Sequence, residues 1–142
     1  MNDTKVTNTV ATLRAMGDST ADICRAREIA RAYADSLSPV PAAEVMDTLV
    51  LVVSELVTNA VRHGGGRYTL ELCADEAAVI VAVSDTNPAH PREVTPDLNG
   101  GSGGFGWHMV RRLSDEVTVS PGPIPGKTII ALIGRTAGHS ED

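Results

Sequence analysis

Residues 42–63, AAEVMDTLVLVVSELVTNAVRH, make the longest apolar-periodic run in the chain, and whatever fold the chain adopts must bury them. Val45, Leu49, Val53, Leu56 and Ala60 form one stripe at three- and four-residue spacing, which Met46, Val50, Val57 and Val61 widen. An apolar arc that wide predicts a helix buried along most of its length. Pro41 suits its opening, where a missing N–H costs nothing, and Gly64-Gly65-Gly66 suit its end. Within this helix stand Glu55 and Asn59, about 40° apart on the helical wheel and one turn above the other. Arg62 and His63 continue the same edge, at the margin of the apolar arc. A carboxylate there is costly unless it has a partner or a task. Taken alone, the cluster reads as an ordinary solvated or hydrogen-bonded boundary.

The remaining pattern tells what the helix packs against. Residues 20–37 read as a helix capped by Thr20, with Ala21, Ile23, Ala26, Ile29, Ala30 and Tyr33 near helical spacing. After residue 66 the period changes to two. RYTLELCA places Tyr68, Leu70 and Leu72 on one face, and AVIVAVSD places Val79, Val81 and Val83 on one face. Asp75-Glu76 between them predicts an antiparallel hairpin. Residues 86–103 read as a long loop, a length that is functional or disordered in compact domains. Residues 105–114 read as a short helix, DEVTVS as a strand and KTIIALIG as a last strand, with KVTNTVATL as a candidate edge strand at the start. Helices and strands are segregated, which predicts an α+β fold: a two-layer sandwich with helices on one face of a mainly antiparallel, mixed sheet. One domain over 1–142 is expected, with a core at about 20–135 and a frayed tail at 136–142.

Bulk properties narrow the class. The chain has 142 residues, 42% hydrophobic and 21% charged, which is ordinary for a globular domain. Aromatics are only 3%, so aliphatic residues must build the core. A net charge of -6 disfavours general nucleic-acid binding, although a local nucleotide site is compatible with it. Cys24 and Cys73 are far apart and read as free thiols of a reducing cytoplasm. No signal peptide or membrane-spanning run is visible, so a cytoplasmic protein without membrane attachment is expected.

Two glycine patterns are false friends. Gly101 to Gly106 spell GxGxxG, but a polar, proline-bearing stretch precedes them where a dinucleotide fold needs a strand. GPIPGKT resembles a P-loop, but it is one residue short, carries two prolines and leads into a β-like run; it reads as a turn before an edge strand. Three further signals are weak singly. Asp85 ends an apolar strand; it is either a turn former or a buried acceptor for an exocyclic amine such as that of adenine. GGSGGFGWHMV runs flexible glycines into a helix start, either a plain hinge or a cradle for a phosphate chain. Thr128 opens the last strand, by ordinary strand propensity or as a site hydroxyl.

In their order along the chain, SELVTNAVRHG, VSDTNP, GGFGWHMV and GKTIIAL resemble the nucleotide site of the GHKL (Bergerat-fold) ATPase superfamily. The stand-alone anti-sigma-factor serine kinases of the RsbW and SpoIIAB type are the branch most resembled, over about residues 20–135. The resemblance implies an ATP- and Mg²⁺-dependent protein serine/threonine kinase. Such a protein phosphorylates an anti-anti-sigma-type partner, sequesters a sigma factor and forms a homodimer. It implies Asn59 as Mg²⁺ ligand, Glu55 as general base and Asp85 as reader of the adenine amine. It places Arg62, His63, Asn87, Gly103, Gly104, Phe105, Gly106, Trp107 and Thr128 around ATP. Departures from the family pattern are Asn87 and Ala89 at two common glycine positions, Phe105 for Arg and Trp107 for Leu. They leave room for a second class, an ATP-binding switch module without catalysis.

Overall fold

The computed structural model describes residues 10–19, 21–63, 65–89, 104–121 and 125–135. The elements run β1 (Val10–Gly17), α1 (Asp22–Asp35), α2 (Ala43–His63), β2 (Tyr68–Ala74), β3 (Ala78–Asp85), α3 (Gly104–Leu113), β4 (Glu116–Pro121) and β5 (Lys127–Gly134). The strands form one sheet in the order β1-β2-β3-β5-β4, with antiparallel pairing at each junction. The sheet is therefore antiparallel throughout the described residues, where a mixed one was expected. The first strand is an edge strand as expected and is described from Val10; residues 1–9 lie outside the description. The strand after the GPIPG turn is not at an edge. β4 crosses to the rim and β5 folds back between β3 and β4.

The alternating sequence sets the two faces. Tyr68, Leu70 and Leu72 of β2, Val79, Val81 and Val83 of β3, and Ile129, Ala131 and Ile133 of β5 are buried on one face. Their neighbours in sequence are half-exposed on the other. All three helices lie on the buried side, giving the expected two-layer α+β sandwich. α2 touches both other helices and strands β2, β3 and β5. Leu49, Val52, Val53, Leu56 and Val57 are fully buried beneath it. α1 packs on α2 through the small residues Ala26, Ala30 and Ala34, and α3 adds Trp107 and Val110. Each large aliphatic side chain so buried contributes about 1.5–3 kcal/mol, which lets the chain hold a core with few aromatics. No helix of the described residues is long and apolar enough to cross a membrane.

Local chemistry fixes the joints. Thr20 lies outside the description; Ala21 is at the N-cap of α1 with no side-chain cap, and the Asp22 carboxylate accepts the Asp18 and Ser19 N–H groups at 3.0 and 3.1 Å. The β2–β3 turn is pinned by Asp75, whose Oδ1 accepts the N–H groups of Ala77 and Ala78, both at 2.8 Å. Arg135 donates to the carbonyls of Asp75 and Pro39 at 2.7 and 2.9 Å, joining that turn to the α1–α2 connection.

Three groups on this frame resist ionisation. Burial pushes the Tyr33 and Tyr68 phenols above their ordinary 10.0 and the Cys73 thiol above 9.0, with nearby negative charge adding to each. The Tyr33 hydroxyl is buried without a hydrogen-bond partner among the described residues. Such groups bind protons more tightly folded than unfolded, so their stabilisation is complete below the unfolded pKa values and is lost as pH rises through the folded ones. The midpoint of urea unfolding is therefore expected to fall progressively above about pH 9, and Tyr33→Phe should flatten that fall. An unchanged midpoint between pH 9 and 11 would contradict the assignment.

Candidate functional site

α2 brings its polar margin to the start of α3. The buried Leu56 and Ala60 fix the rotation of the helix, which leaves Glu55 and Asn59 half-exposed along one edge. Next to them the buried Ser54 receives the Arg27 Nε–H of α1 at 3.2 Å, and Thr58 donates to the Ser54 carbonyl at 2.7 Å. Glu55 meets Gly106 in the first turn of α3; a Cβ added at Gly106 would run into Glu55 Oε1. The glycine therefore lets a helix start, with its free N–H groups, close directly on the carboxylate. Gly104 and Phe105 open that turn, while Gly103 lies outside the described residues. Trp107, placed by the sequence around a ligand, is instead 7% exposed and belongs to the core. Its large apolar ring is the bulk that docks α3 on α2.

The end of β3 is tied to the end of α2. Asn87 donates from Nδ2 to the His63 carbonyl at 2.7 Å. Arg62 and His63 themselves are exposed. Gly65 has φ 98, and a Cβ there would strike Thr86 Oγ1, so glycine is required both by conformation and by the close approach. Asn87 also organises the chain locally: its N–H donates to Asp85 Oδ1 at 2.9 Å, and its own Oδ1 accepts the Ala89 N–H at 2.9 Å. These successive Asx-type turns hold the segment where the family pattern has glycines.

Asp85 is buried, but it is not free. The β3–β5 register sets it opposite Lys127. The Lys127 ammonium lies 2.9 Å from Oδ2 and 3.0 Å from Oδ1, and it donates to the Asn87 carbonyl at 2.9 Å. The two side chains are 3% and 7% exposed. Lys127 was not singled out by sequence reading; the signal was a basic residue of the right strand parity to oppose Asp85. Thr128 was singled out, and strand alternation turns it to the opposite face, where its Oγ1 lies 2.8 Å from Ser84 Oγ. The structure thus groups Glu55, Asn59 and Gly106, and separately Asp85, Asn87 and Lys127, and leaves Thr128 with neither.

An open cleft of about 490 Å³ lies at the Asp85 end, bounded by Ser84, Thr86, Tyr68, Arg67 and the β1–α1 connection. Glu55 and Asn59 do not line it. No group of three or more His, Cys, Asp or Glu side chains suited to a metal occurs among the described residues.

The buried pair makes a stability prediction. Asp85→Ala strands an ammonium in the core and is expected to cost about 3–5 kcal/mol in urea unfolding. The double change Asp85→Leu, Lys127→Met removes both charges and should cost far less. If the double variant is as unstable as the single one, the pairing is not what holds Lys127 in place.

The chain matches the Histidine kinase-like ATPase domain over residues 8–133. Among solved structures it is similar to the crystal structure of the RsbU and RsbW domains of Rv1364c from Mycobacterium tuberculosis, with a TM-score of 0.57 and 21% sequence identity. That likeness covers 94% of this chain but 35% of the other, so it speaks to the shared fold. No similar protein is found among the curated ones. The family match spans nearly the whole sandwich, from before β1 into β5, and the chain belongs to the family of histidine kinase-like ATPase domains.

Proposed function

We propose that this chain binds ATP with Mg²⁺ between α2 and the start of α3 and transfers a phosphoryl group to a serine or threonine of a small anti-anti-sigma-type protein. In the same reading it sequesters a sigma factor and works as a homodimer. The observation that carries the reading is the Glu55 carboxylate held against Gly106 at the head of α3, one helical turn from Asn59. A helix start offers free N–H donors and the positive end of the helix dipole, which suit a phosphate chain. The Asn59 amide oxygen would hold the metal, which when bound neutralises phosphate charge. Glu55 would take the proton of the acceptor hydroxyl as its oxygen bonds to the terminal phosphorus and the bond to the ADP oxygen breaks. The fold likeness to a chain containing RsbU and RsbW domains supports a regulatory setting. A second reading is an ATP-binding switch without transfer, which the departures from the family pattern at Asn87 and Phe105 favour.

Labelled ATP-Mg²⁺ incubated with candidate partners bearing an exposed serine separates the two. The kinase predicts label on the partner, at least about a hundredfold weaker in Glu55→Gln, since a general base contributes on the order of 10²–10⁴. Asn59→Ala should abolish Mg²⁺-dependent ATP binding in a still-folded protein. Tight binding with no transfer to any partner would sink the kinase and leave the switch.

Gly106→Ala makes a separate demand. A helical Gly→Ala change favours the helix by roughly 0.5–1 kcal/mol, and the clashing atom is the movable tip of a side chain. Thermal stability should therefore hold while transfer falls, because the Glu55 carboxylate is pushed aside. Unaltered transfer in Gly106→Ala would mean that Glu55 need not sit where it does.

A further inference from the structure

The closed Asp85–Asn87–Lys127 cluster bears on what the site can read. An ammonium has three N–H donors. Lys127 donates to Asp85 Oδ1 at 3.0 Å and to the Asn87 carbonyl at 2.9 Å, and its ammonium also lies 2.9 Å from Asp85 Oδ2. Asp85 Oδ1 also accepts the Asn87 N–H at 2.9 Å, so both its lone pairs are used. With 3% of the Asp85 side chain exposed, little of the carboxylate is open to an incoming donor. A neutral exocyclic amine would have to displace a charged donor, and with it the attraction between two full charges in a poorly solvated place. The displaced ammonium would then be left in a buried site.

We infer that Lys127 is a specificity-determining residue that occupies the base-reading carboxylate from within, so that the site holds a purine nucleoside triphosphate through its phosphates without reading the 6-amino group. The inference rests on the ATP site proposed above, and it concerns the base end alone. Register supports it independently of distance. Asp85 and Lys127 are directly opposed on neighbouring antiparallel strands, where side chains on one face are closest. Thr128, the next residue, points to the other face and offers its hydroxyl to Ser84. The short hydroxyl side chain that could share Asp85 with a base is thus one position out of step, and the long cationic one stands in its place.

The test compares ATP with purine riboside triphosphate, which lacks the 6-amino group, each with Mg²⁺, by calorimetry. The wild-type chain is expected to bind the two within about twofold. Lys127→Thr places a hydroxyl opposite Asp85 and frees the carboxylate. It should bind ATP at least about tenfold more tightly than wild type, the worth of one hydrogen bond to a charged group, and should prefer ATP over the analogue by a similar factor. Inorganic tripolyphosphate should bind both proteins alike. A wild-type preference for ATP of about tenfold or more overturns the inference, and that measurement needs no variant, so a poorly folding Lys127→Thr does not shield it. If wild type binds neither nucleotide, gain of ATP binding in Lys127→Thr supports the inference and continued silence overturns it. Failure of the site itself reads out differently, as nucleotide binding that Asn59→Ala leaves untouched.

Discussion

The contact of α2 with the sheet governs everything else in this molecule. Leu49, Val53 and Leu56 cannot be buried without fixing the helix's rotation, and that rotation decides where Glu55 and Asn59 emerge. The other parts are then hung from α2. α3 docks by Trp107 and Val110 and so brings Gly106 to Glu55. The end of β3 is drawn in by the hydrogen bond from Asn87 to the His63 carbonyl. The polar edge is not an addition to a finished core; its position follows from how the apolar arc is buried.

That dependence explains what could be read beforehand. The elements with one clear period were legible: the wide stripe of residues 42–63 became α2, and the alternation around Asp75-Glu76 became the β2–β3 hairpin. Glu55 and Asn59 were legible as a pair because one helix sets their spacing. β5 was located but misplaced, as an edge strand when it is internal. Its faces were also hidden, because Ile129 to Ile133 are apolar without interruption and such a run has no visible parity. The sequence therefore does not show that Lys127, and not Thr128, shares a face with Asp85. The core placement of Trp107 was hidden because glycines precede it, a setting typical of a ligand loop. The Gly106–Glu55 approach joins residues far apart in sequence, and no local pattern could announce it.

The two groups of polar residues differ in physical character. At the α2–α3 junction, a half-buried carboxylate and amide border a helix start that glycine leaves accessible. At the β3–β5 end, donors and acceptors are matched and sealed from water. One end leaves its polar groups partly exposed, and the other is largely satisfied by the chain itself.

The apolar run of β5 has one more consequence. Shifting the strand by a single residue would exchange Ile129, Ala131 and Ile133 for Ile130 and Leu132 on the helix side, a swap of greasy side chains for greasy side chains. Hydrophobicity therefore discriminates weakly between the two alignments, a condition in which strands are prone to slip. In the alignment one residue out, Thr128 would face Asp85, and the buried carboxylate would lose its counter-ion. The Asp85–Lys127 pair thus acts as the strand's index mark, choosing the alignment that its oily neighbours leave undecided.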